Sequence, residues 1–442
     1  MSSASNVLYI EPSFNSDKFR SEFRLPESNG VYKTDMRLTN VGLAKNDNGN
    51  TTYNLLAGAY GVIDSISIES GAQTLDQVRN FSQYISLKNL LHSNNENSSV
   101  YRYLARNKLG YAATGSTNFD GAGDVEQAAD KGVKISNKVP DKGNTLFGAD
   151  AGTRDKATNG SWFNLKECLG FLRDSPYIPT NVYPDLRIVV NYVSSTQLTN
   201  TIVASNSNIG TEKPLLVAEY EPDVAVAESL MNNYEGVSFN SIEHDSVLLT
   251  AQAPAQNTTA EQESSFLLKG FNDKFIDKLV IVNTPQSQAT WRTGNNNSSI
   301  ANLGSVSQLD FGIQVRLNGV EMFPSPSGYL EGKNRRMGRM VDAWGDMNVA
   351  PFQNMCGASG GPTKIYEAGI VDTIGQVDYT GFGVSDVVKE LKLTCKRTAV
   401  GGTNADATLN PGLRQAIRLN IFGVARKNIT PLSNGQILIR YV

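Results

Sequence analysis

Few residues in this chain have the types and spacing that catalysis or metal binding requires. Only two histidines occur, His92 and His244, and neither lies in an HExxH sequence or in a His-rich cluster. We expect each histidine to be a surface or capping residue. The sequence therefore argues against a histidine-dependent metal centre.

One short segment has features of a nucleophile loop. Residues 356–362, CGASGGP, resemble the loop of chymotrypsin-like serine proteases, in which Ser359 would be the nucleophile and the amide of Gly357 would lie near an oxyanion. A serine needs a general base, but neither histidine has the setting of that family, and Ala358 replaces the usual acid. We interpret the segment as a Gly-rich turn between strands. The sequence predicts no catalytic residue and no enzyme.

Signals for other ligands are equally weak. The chain has no GxxxxGK[ST] loop and no DxDxDG spacing, so we predict no cofactor and no metal site. The densest basic cluster is KNRRMGRM, which contains Lys333, Arg335, Arg336 and Arg339. The cluster could contact nucleic acid or an anionic partner surface, but in a chain of net charge −3 we favour an intersubunit or solvated loop. No sequence-specific nucleic acid partner is expected.

The cysteines and the N-terminus indicate where the protein is made. Cys168, Cys356 and Cys395 are odd in number and none forms a CxxC pair, which predicts free, buried or neutral thiols in a reducing compartment. The first residues, MSSASNVLYIEPSFNSDKF, lack the basic and apolar regions of a signal peptide. No run of about 18 apolar residues predicts a transmembrane helix. We therefore expect a protein that is not secreted through a signal peptide.

The elements that would have to position any site are mostly strands. Leu309, Phe311, Ile313, Val315 and Leu317 alternate with smaller or polar residues. Asn318-Gly319 follows and predicts a type I′ hairpin with a return strand at 320–323. Similar period-two patterns occur at 186–192, 387–395, 417–421 and 437–441. Such strands, each with one buried and one wet face, favour an antiparallel sandwich over βαβ winding.

Helices are predicted at two places. The first begins at an N-cap Thr74 and places Leu75, Val78, Phe81 and Ile85 on one side. The second runs from the cap Asp223 to Gly236 and lies at the midpoint of the chain, where we interpret it as a connector between two domains.

Two halves are also suggested by a short internal similarity. VIDSISI at 62–68 aligns with FIDKLVI at 275–281, an offset close to half the chain. Long polar segments at 112–160, 251–264 and 285–307 predict surface loops on a rigid scaffold.

Two segments resemble a known family. Residues 55–111, LLAGAYGVIDSISIESGAQTLDQVRNFSQYISLKNLLHSNNENSSVYRYLARNKLGY, resemble the N-terminal region of double jelly-roll major capsid proteins, in particular those of polinton-like viruses and virophages. The likeness rests on the Gly-Ala-Tyr-Gly entry, the strand and turn, Leu75-Asp76-Gln77 and the Asn/Ser run before Tyr101. Residues 217–230, VAEYEPDVAVAESL, resemble the connector between jelly rolls in capsid proteins of large eukaryotic DNA viruses.

The resemblance implies a fold and a division of the chain. The fold class would be all-β, with two tandem eight-stranded antiparallel jelly rolls, a few short helices and long surface loops. An N-terminal arm would occupy residues 1–20 and the first jelly roll 21–222. A helical connector at 223–236 would lead to the second jelly roll at 237–442.

The resemblance also implies a function. Three copies would form a pseudo-hexameric homotrimer that tiles an icosahedral virion shell, and the loops would form outer towers. The partners would be the chain itself and neighbouring capsomers, penton and minor capsid proteins, and an internal membrane contacted by the N-terminal arm. The protein would be made in the host cytoplasm or nucleus and would act in the virion capsid.

One alternative belongs to another class of function. Jelly rolls also occur in lectins, so the chain could be a viral spike or lectin-like β-sandwich that binds a carbohydrate or receptor. That function would favour an exposed aromatic platform, whereas Trp162, Trp291 and Trp344 are scattered along the sequence.

Overall fold

A computed structural model describes most of the strands of the chain. The described residues are 6–16, 20–39, 63–85, 162–193, 214–252, 255, 258–285, 312–323, 339, 342–343, 379–400, 416–432 and 436–442.

The described residues of the first half of the chain contribute eleven strands. They are β1 (Asn6–Ile10), β2 (Phe14–Ser16), β3 (Arg20–Arg24), β4 (Val31–Tyr32), β5 (Arg37–Thr39), β6 (Ile63–Ser70), β7 (Gln73–Arg79), β8 (Trp162–Asn164), β9 (Ile178–Pro179), β10 (Leu186–Tyr192) and β11 (Leu215–Tyr220). The described part of the second half contributes nine. They are β12 (Val237–Leu249), β13 (Thr259–Leu267), β14 (Lys274–Pro285), β15 (Gly312–Leu317), β16 (Val320–Glu321), β17 (Tyr379–Val388), β18 (Leu391–Val400), β19 (Ile417–Pro431) and β20 (Ile437–Tyr441).

Helices are short. α1 spans Gly170–Asp174 and α2 spans Val224–Asn232, while a helical turn covers 81–85. Within the described ranges, 3-10 turns lie at Glu27–Asn29, Leu165–Glu167 and Lys269–Phe271.

Both halves have the strand order of a jelly roll. In the second half, one sheet has the order β12-β19-β14-β17 and the other β13-β18-β15-β16. If the strands are lettered B to I along the chain, these orders are B-I-D-G and C-H-E-F, in which every described pairing is antiparallel. β20 adds to the end of β19.

The first half repeats this order with shorter strands. In its B-I-D-G sheet, strand B is β1, strand I is β11, strand D is divided into β4 and β5, and strand G is divided into β8 and β9. In its C-H-E-F sheet the strands are β3, β10, β6 and β7, and β2 lies at the edge beside β3. The chain is therefore all-β, with two antiparallel jelly rolls in tandem.

Pairing directions place the long connections at one end of each jelly roll. In both halves the D–E, F–G and H–I connections are the long ones, as shown by the gaps between β5 and β6, β7 and β8, and β10 and β11. Because paired strands are antiparallel, these three connections leave from the same end. The predicted loops 112–160 and 285–307 lie in such connections and, apart from Pro285 at the end of β14, outside the described residues. The predicted loop 251–264 is partly wrong, because β13 begins at Thr259.

The helix predicted from Thr74 is wrong over its first two turns. Residues 73–79 form β7, a strand that pairs with β6 through a tight turn at Gly71. Ile68 pairs with Asp76 and Glu69 with Thr74, so Leu75 is the extra residue of a β-bulge. The bulge places Leu75 and Val78 in the core although they are three residues apart, a spacing that is otherwise typical of a helix. Only 81–85 is helical.

A second bulge accounts for a charged residue in β6. Ile63 pairs with Tyr192 and Ser65 with Asn191, which makes Asp64 the extra residue of the bulge, with an exposed side chain. Ile66 and Ile68 are fully buried, as the alternation predicts.

The hairpin at 312–321 is confirmed. Asn318 and Gly319 both have positive φ, 51° and 83°, as a type I′ turn requires.

The single strand predicted over 387–395 is instead two strands, because the chain turns at Lys389-Glu390 and passes from one sheet to the other. Val387 consequently lies 38% exposed at the end of β17.

Two organisational expectations change. Residues 6–10 fall within the predicted N-terminal arm, but they form strand B of the first jelly roll and pair with β11. The similarity between 62–68 and 275–281 is not a structural repeat, since β6 is an E strand and β14 is a D strand. The connector helix α2 is present and ends at Asn232 before Gly236. The boundaries 20/21, 222/223 and 236/237 stay proposals.

Candidate assembly surfaces

The residues considered for chemistry do not form a site in the described chain. Ser359, Cys356 and His92 lie outside the described residues, as do Lys333, Arg335 and Arg336. Cys168 and Cys395 are buried free thiols, as predicted, and burial raises the pKa of Cys395 to about 12. Within the described ranges, no group of three or more His, Cys, Asp or Glu residues could hold a metal ion. No helix in those ranges is long and apolar enough to cross a membrane.

His244 has a different position from the one expected. It lies in β12, where its Nε2 is 3.2 Å from Asn420 Oδ1 and its ring centroid is 4.9 Å from that of Phe422. Burial lowers the pKa of the imidazole. His244 is thus neither a surface nor a capping residue, and it lies where the two jelly rolls meet.

The B-I-D-G sheet of the second jelly roll is buried on both faces. Its inward residues pack in the core of that jelly roll; they are Leu279, Ile281, Leu419, Ile421 and Ala425. Its outward residues belong to a second cluster that includes the core of the first jelly roll; they are Val280, Val282, Phe422 and Val424. The expectation of one wet face, which was made for residues 417–421, is therefore wrong for β19.

Three elements of the first jelly roll cover that outward face, and we call this contact the inter-roll contact. They are β7, the residues 80–85 that follow it, and α1. The Tyr84 ring lies 5.8 Å from that of Phe422, and the Asn80 amide donates to Asn420 Oδ1 at 3.0 Å. The Phe171 ring meets the Phe239 ring edge-on at 5.8 Å. Aromatic stacking and a buried amide pair therefore orient the two jelly rolls.

Gly170 lets the backbones approach closely in this contact. A Cβ atom at residue 170 would overlap the carbonyl oxygen of Asn240 in β12. The Arg173 guanidinium also reaches that oxygen, at 3.4 Å. Any larger residue at 170 would have to push α1 away from β12.

A buried charged group lies at the centre of the inter-roll contact. The Asp76 carboxylate accepts hydrogen bonds from the amides of Phe171 at 3.0 Å and Gln77 at 2.9 Å. Burial raises its pKa to about 6, although the bond from Phe171 and the charge of Lys427 oppose the shift. The Asp76 carboxyl therefore binds its proton more tightly than an exposed aspartate does.

The second jelly roll supplies the charges that face Asp76. Lys427 in β19 is buried, which lowers the pKa of its ammonium, while the charges of Asp76 and Glu243 oppose the shift. Glu243 accepts hydrogen bonds from Lys274 Nζ at 2.6 Å and from the Tyr441 hydroxyl at 2.8 Å. The network thus links β12, β14, β19 and β20 beneath β7.

The connector is tied to the first jelly roll. Asp223 caps α2 by accepting from the amides of Ala225 and Val226. The Tyr177 hydroxyl donates to the carbonyl of Leu230 at 3.0 Å. Beyond the helix, the Tyr234 and Tyr183 hydroxyls are 2.9 Å apart in a buried site. These bonds make the connector part of the packed structure and not a free linker.

Among the described residues, the corresponding face of the first jelly roll is exposed at its β1 edge, and we call it the open face. Val7 and Tyr9 project from β1 with 47% and 65% of their surface exposed, while Leu8 and Ile10 on the opposite side pack against the core. Tyr9 lies directly opposite Val217 in β11. On the open face, the exposed apolar side chains of β1 therefore lie beside a buried valine of β11.

Ion pairs border the apolar part of the open face. Glu219, opposite Val7, lies 3.6 Å from Lys33 Nζ and 3.8 Å from the Arg37 guanidinium. Arg37 also pairs with Asp35, whose other oxygen accepts from the Asn164 amide at 2.6 Å. Such partly exposed pairs contribute little to folding.

Comparison with solved structures matches the fold over the whole chain. VP54 of PBCV-1, fitted into a cryo-EM reconstruction of the virophage Sputnik, has a TM-score of 0.55 at 13% identity and covers 100% of this chain and 98% of its own. A quasi-atomic model of the PBCV-1 capsid gives 0.55 at 14% identity with the same coverage. The Faustovirus major capsid protein gives 0.50 at 9% identity, covering 97% of this chain and 91% of its own. The chain has the double jelly-roll fold of viral major capsid proteins. No family model and no curated protein sequence matches it.

Sequence reasoning about the double jelly roll missed the inter-roll contact, although a signal was present. Residues 279–282 and 421–425 are almost continuously apolar, LVIV and IFGVA, whereas a half-wet strand alternates. Such runs are typical of strands buried on both faces. Asp76 gave no comparable signal, because its burial depends on a bulge and on a distant β-strand.

Proposed function

We propose that this chain is the major capsid protein of a virus, which forms pseudo-hexameric homotrimers that tile an icosahedral virion shell. The observation that carries the proposal is the repetition of one strand order, B-I-D-G and C-H-E-F, in two jelly rolls packed side by side. Three such chains contain six similar modules, and six modules around an axis form a tile close to a hexagon. The full-length match to PBCV-1 and Faustovirus capsid structures supports the proposal.

The packing of the two jelly rolls also suits a structural role. One hydrophobic cluster runs from the core of the first jelly roll through the inter-roll contact. A subunit in a shell has to transmit load between modules, and a dry, close-packed contact does so without hinge motion. We therefore propose a structural protein and not an enzyme.

The long connections supply the expected outer surface. The D–E, F–G and H–I connections of each jelly roll leave from one end, so in a trimer they would face the same side of the shell. We propose that this side faces outward and that the opposite end faces the interior.

Further partners follow from the same proposal. Penton and minor capsid proteins would contact the edges of the capsomer, and an internal membrane would lie beneath it. Because residues 6–10 are a jelly-roll strand, a membrane contact by the N-terminal arm would rest on the residues of 1–20 outside β1. The virion capsid would be the site of action, with synthesis in the host cytoplasm or nucleus.

Mass measurement of the purified full-length chain tests the proposal. We expect light scattering after size exclusion to give three times the chain mass of 47.9 kDa, and electron microscopy to show hexagonal particles or arrays. A protein that stays monomeric at high concentration and forms no arrays would contradict the capsid function. Glycan binding by such a monomer would favour the spike or lectin-like alternative instead.

A further inference from the structure

The side chain of Asn318 binds a second turn besides the one in which it lies. Its Oδ1 accepts hydrogen bonds from the amides of Lys389 at 2.7 Å and Glu390 at 3.1 Å. Its Nδ2 donates to the carbonyl of Val387 at 2.9 Å, and its backbone amide donates to the carbonyl of Glu390 at 2.8 Å. These four bonds join the turn between β15 and β16 to the turn between β17 and β18, and we call them the turn clamp.

The turn clamp lies at the end of the second jelly roll that is opposite the long connections. The turn between β15 and β16 stays within one sheet, whereas the turn between β17 and β18 carries the chain from one sheet to the other. The second of these turns also binds the connection between β13 and β14. The Asp273 amide donates to the Val388 carbonyl at 2.7 Å, and Lys389 Nζ donates to Asp273 Oδ1 at 3.0 Å. The turn clamp is therefore part of a bonded set that joins three short connections.

The residue that forms the turn clamp is also chemically labile, because glycine follows it. In an Asn-Gly pair the backbone nitrogen of the glycine can attack the asparagine Cγ, since no side chain hinders the approach. The bond from Cγ to Nδ2 then breaks, ammonia leaves, and a succinimide ring forms. Water opens the ring and gives aspartate or isoaspartate. Asn318 and Gly319 are both exposed, so water reaches them.

The turn clamp opposes this reaction in the folded chain. Ring closure moves the side-chain amide toward its own backbone and expels Nδ2, so it breaks the bond to the Val387 carbonyl. It also displaces Oδ1 from the amides of Lys389 and Glu390. The pairing of Leu317 with Val320 fixes the backbone on either side of the turn. The reaction therefore requires a local opening of the turn, which has its own free-energy cost.

Deamidation would remove the donor of the turn clamp. An aspartate at this position places an oxygen where Nδ2 now faces the Val387 carbonyl, and Nδ2 is 3.5 Å from Asp386 Oδ2. Two acceptors would then face each other, and two carboxylates would lie close together. Isoaspartate would in addition lengthen the backbone of a two-residue turn. Neither product can form the original set of bonds.

We propose that Asn318 is a deamidation site which the turn clamp protects in the folded chain, and that its conversion to aspartate or isoaspartate releases the turn between β17 and β18. Every contact in the argument lies within one chain, so the inference is independent of the proposed assembly. A chain in which the turn clamp has opened for long enough is marked permanently, because ammonia is lost.

Peptide mapping by mass spectrometry measures the protection. The unmodified full-length chain is incubated in mildly alkaline buffer, once folded and once unfolded in urea, and the fraction of deamidated Asn318 is followed with time. We expect the reaction to be about a hundredfold slower in the folded chain, because only opened turns react. Equal rates in the two states would overturn the proposal.

A variant that imitates the product tests the release of the turn. Asn318→Asp should raise the equilibrium constant of unfolding in urea about tenfold or more, because the donor is lost and two carboxylates meet. Adding Asp386→Asn should recover part of the loss, which a merely local effect on the β15–β16 turn would not allow. Asn29→Asp, in another Asn-Gly pair, is the matched control.

The control has fewer bonds to lose. The Asn29 amide donates one hydrogen bond, to the Tyr32 hydroxyl at 2.8 Å, so we expect Asn29→Asp to change the equilibrium constant by less than about threefold. An Asn318→Asp chain as stable as the unmodified one would show that deamidation leaves the turn in place and would overturn the second part of the proposal. If Asn318→Asp does not fold, the deamidation rates of the unmodified chain still decide the first part.

Discussion

The two B-I-D-G sheets of this protein have the same strand order but different surroundings. In the second jelly roll the outward face carries Phe422 and Val424 and is sealed by the first jelly roll. In the first jelly roll it carries Tyr9 and Val7, which reach solvent, and a border of ion pairs around Glu219. The comparison indicates that a face buried within the folded chain can be mainly apolar, with its few charged groups enclosed in the contact. On the face whose β1 edge reaches solvent, the apolar side chains lie beside exposed ion pairs.

The largest expected effect on the free energy of unfolding comes from a substitution in the inter-roll contact. Phe422→Ala should lower the free energy of unfolding by about 3 to 5 kcal/mol, because the removed ring leaves a cavity between the jelly rolls beside Tyr84 and His244. Chemical denaturation measures the change. Val217→Ala, a buried site on the open face, is the matched control, with an expected loss of about 2 kcal/mol. Equal losses would remove the energetic distinction between the two faces.

The second effect is the pH dependence that Asp76, in the inter-roll contact, gives to the free energy of unfolding. The pKa of Asp76 in the folded protein is about 6, above its ordinary value of 3.8, so the folded state holds this proton more tightly than the unfolded chain. Its contribution to the free energy of unfolding is greatest below about pH 4, falls by on the order of 3 kcal/mol as the pH rises to about 6, and is constant above.

Substitution isolates this contribution. Asp76→Asn should abolish that fall in a series of unfolding curves between pH 4 and 7, while Lys427 and Glu243, which face Asp76, remain in both proteins. Asp273→Asn, whose carboxylate is exposed, serves as the control and should retain the fall. A fall of the same size in Asp76→Asn would assign the pH dependence to another group.

A third, smaller effect tests the hairpin between β15 and β16. Gly319 has a φ of 83° with no atom near its Cβ position, so Gly319→Val is strained only in its backbone. We expect a loss of about 1 to 3 kcal/mol and a lower yield of soluble trimer. Gly383→Val, at a site that is equally open but has no positive φ, should be nearly neutral. A normal yield from Gly319→Val would count against this role of the turn.

The smallest effect is expected for the ion pairs of the open face. Glu219→Gln should change the free energy of unfolding by less than about 1 kcal/mol, because its partners Lys33 and Arg37 are partly exposed. Glu243→Gln, which weakens the enclosed bonds to Lys274 and Tyr441, should cost about 1.5 to 3 kcal/mol. Urea unfolding at low and high salt distinguishes the two, and a larger loss for Glu219→Gln would reverse the comparison.

Local patterns predicted the parts of the fold that depend on neighbours in sequence. Asn318-Gly319 predicted its turn because few other residue pairs tolerate two positive φ angles. Asp223 predicted the start of α2, since its carboxylate caps amides two and three residues ahead. The alternation at 186–192 likewise predicted β10.

Patterns failed where a bulge changed the period. Leu75 and Val78 have a helical spacing, but both are buried in a strand because one residue is inserted opposite β6. Asp64 contradicted the alternation of β6 for the same reason, opposite β10. A bulge is selected by the strand that pairs with it, so a local window of sequence contains little information about it.

The sequence by itself determined an all-β chain in two halves, the main turns, the connector helix and the absence of any motif for histidine or nucleotide chemistry. Only the tertiary structure decided which apolar strands are covered twice, where Asp76 and His244 lie, and that residues 6–10 complete the first jelly roll. The physical reason is the distance along the chain over which each kind of interaction acts. Turn and cap preferences arise between residues a few positions apart, whereas burial of a sheet face depends on which distant element packs against it.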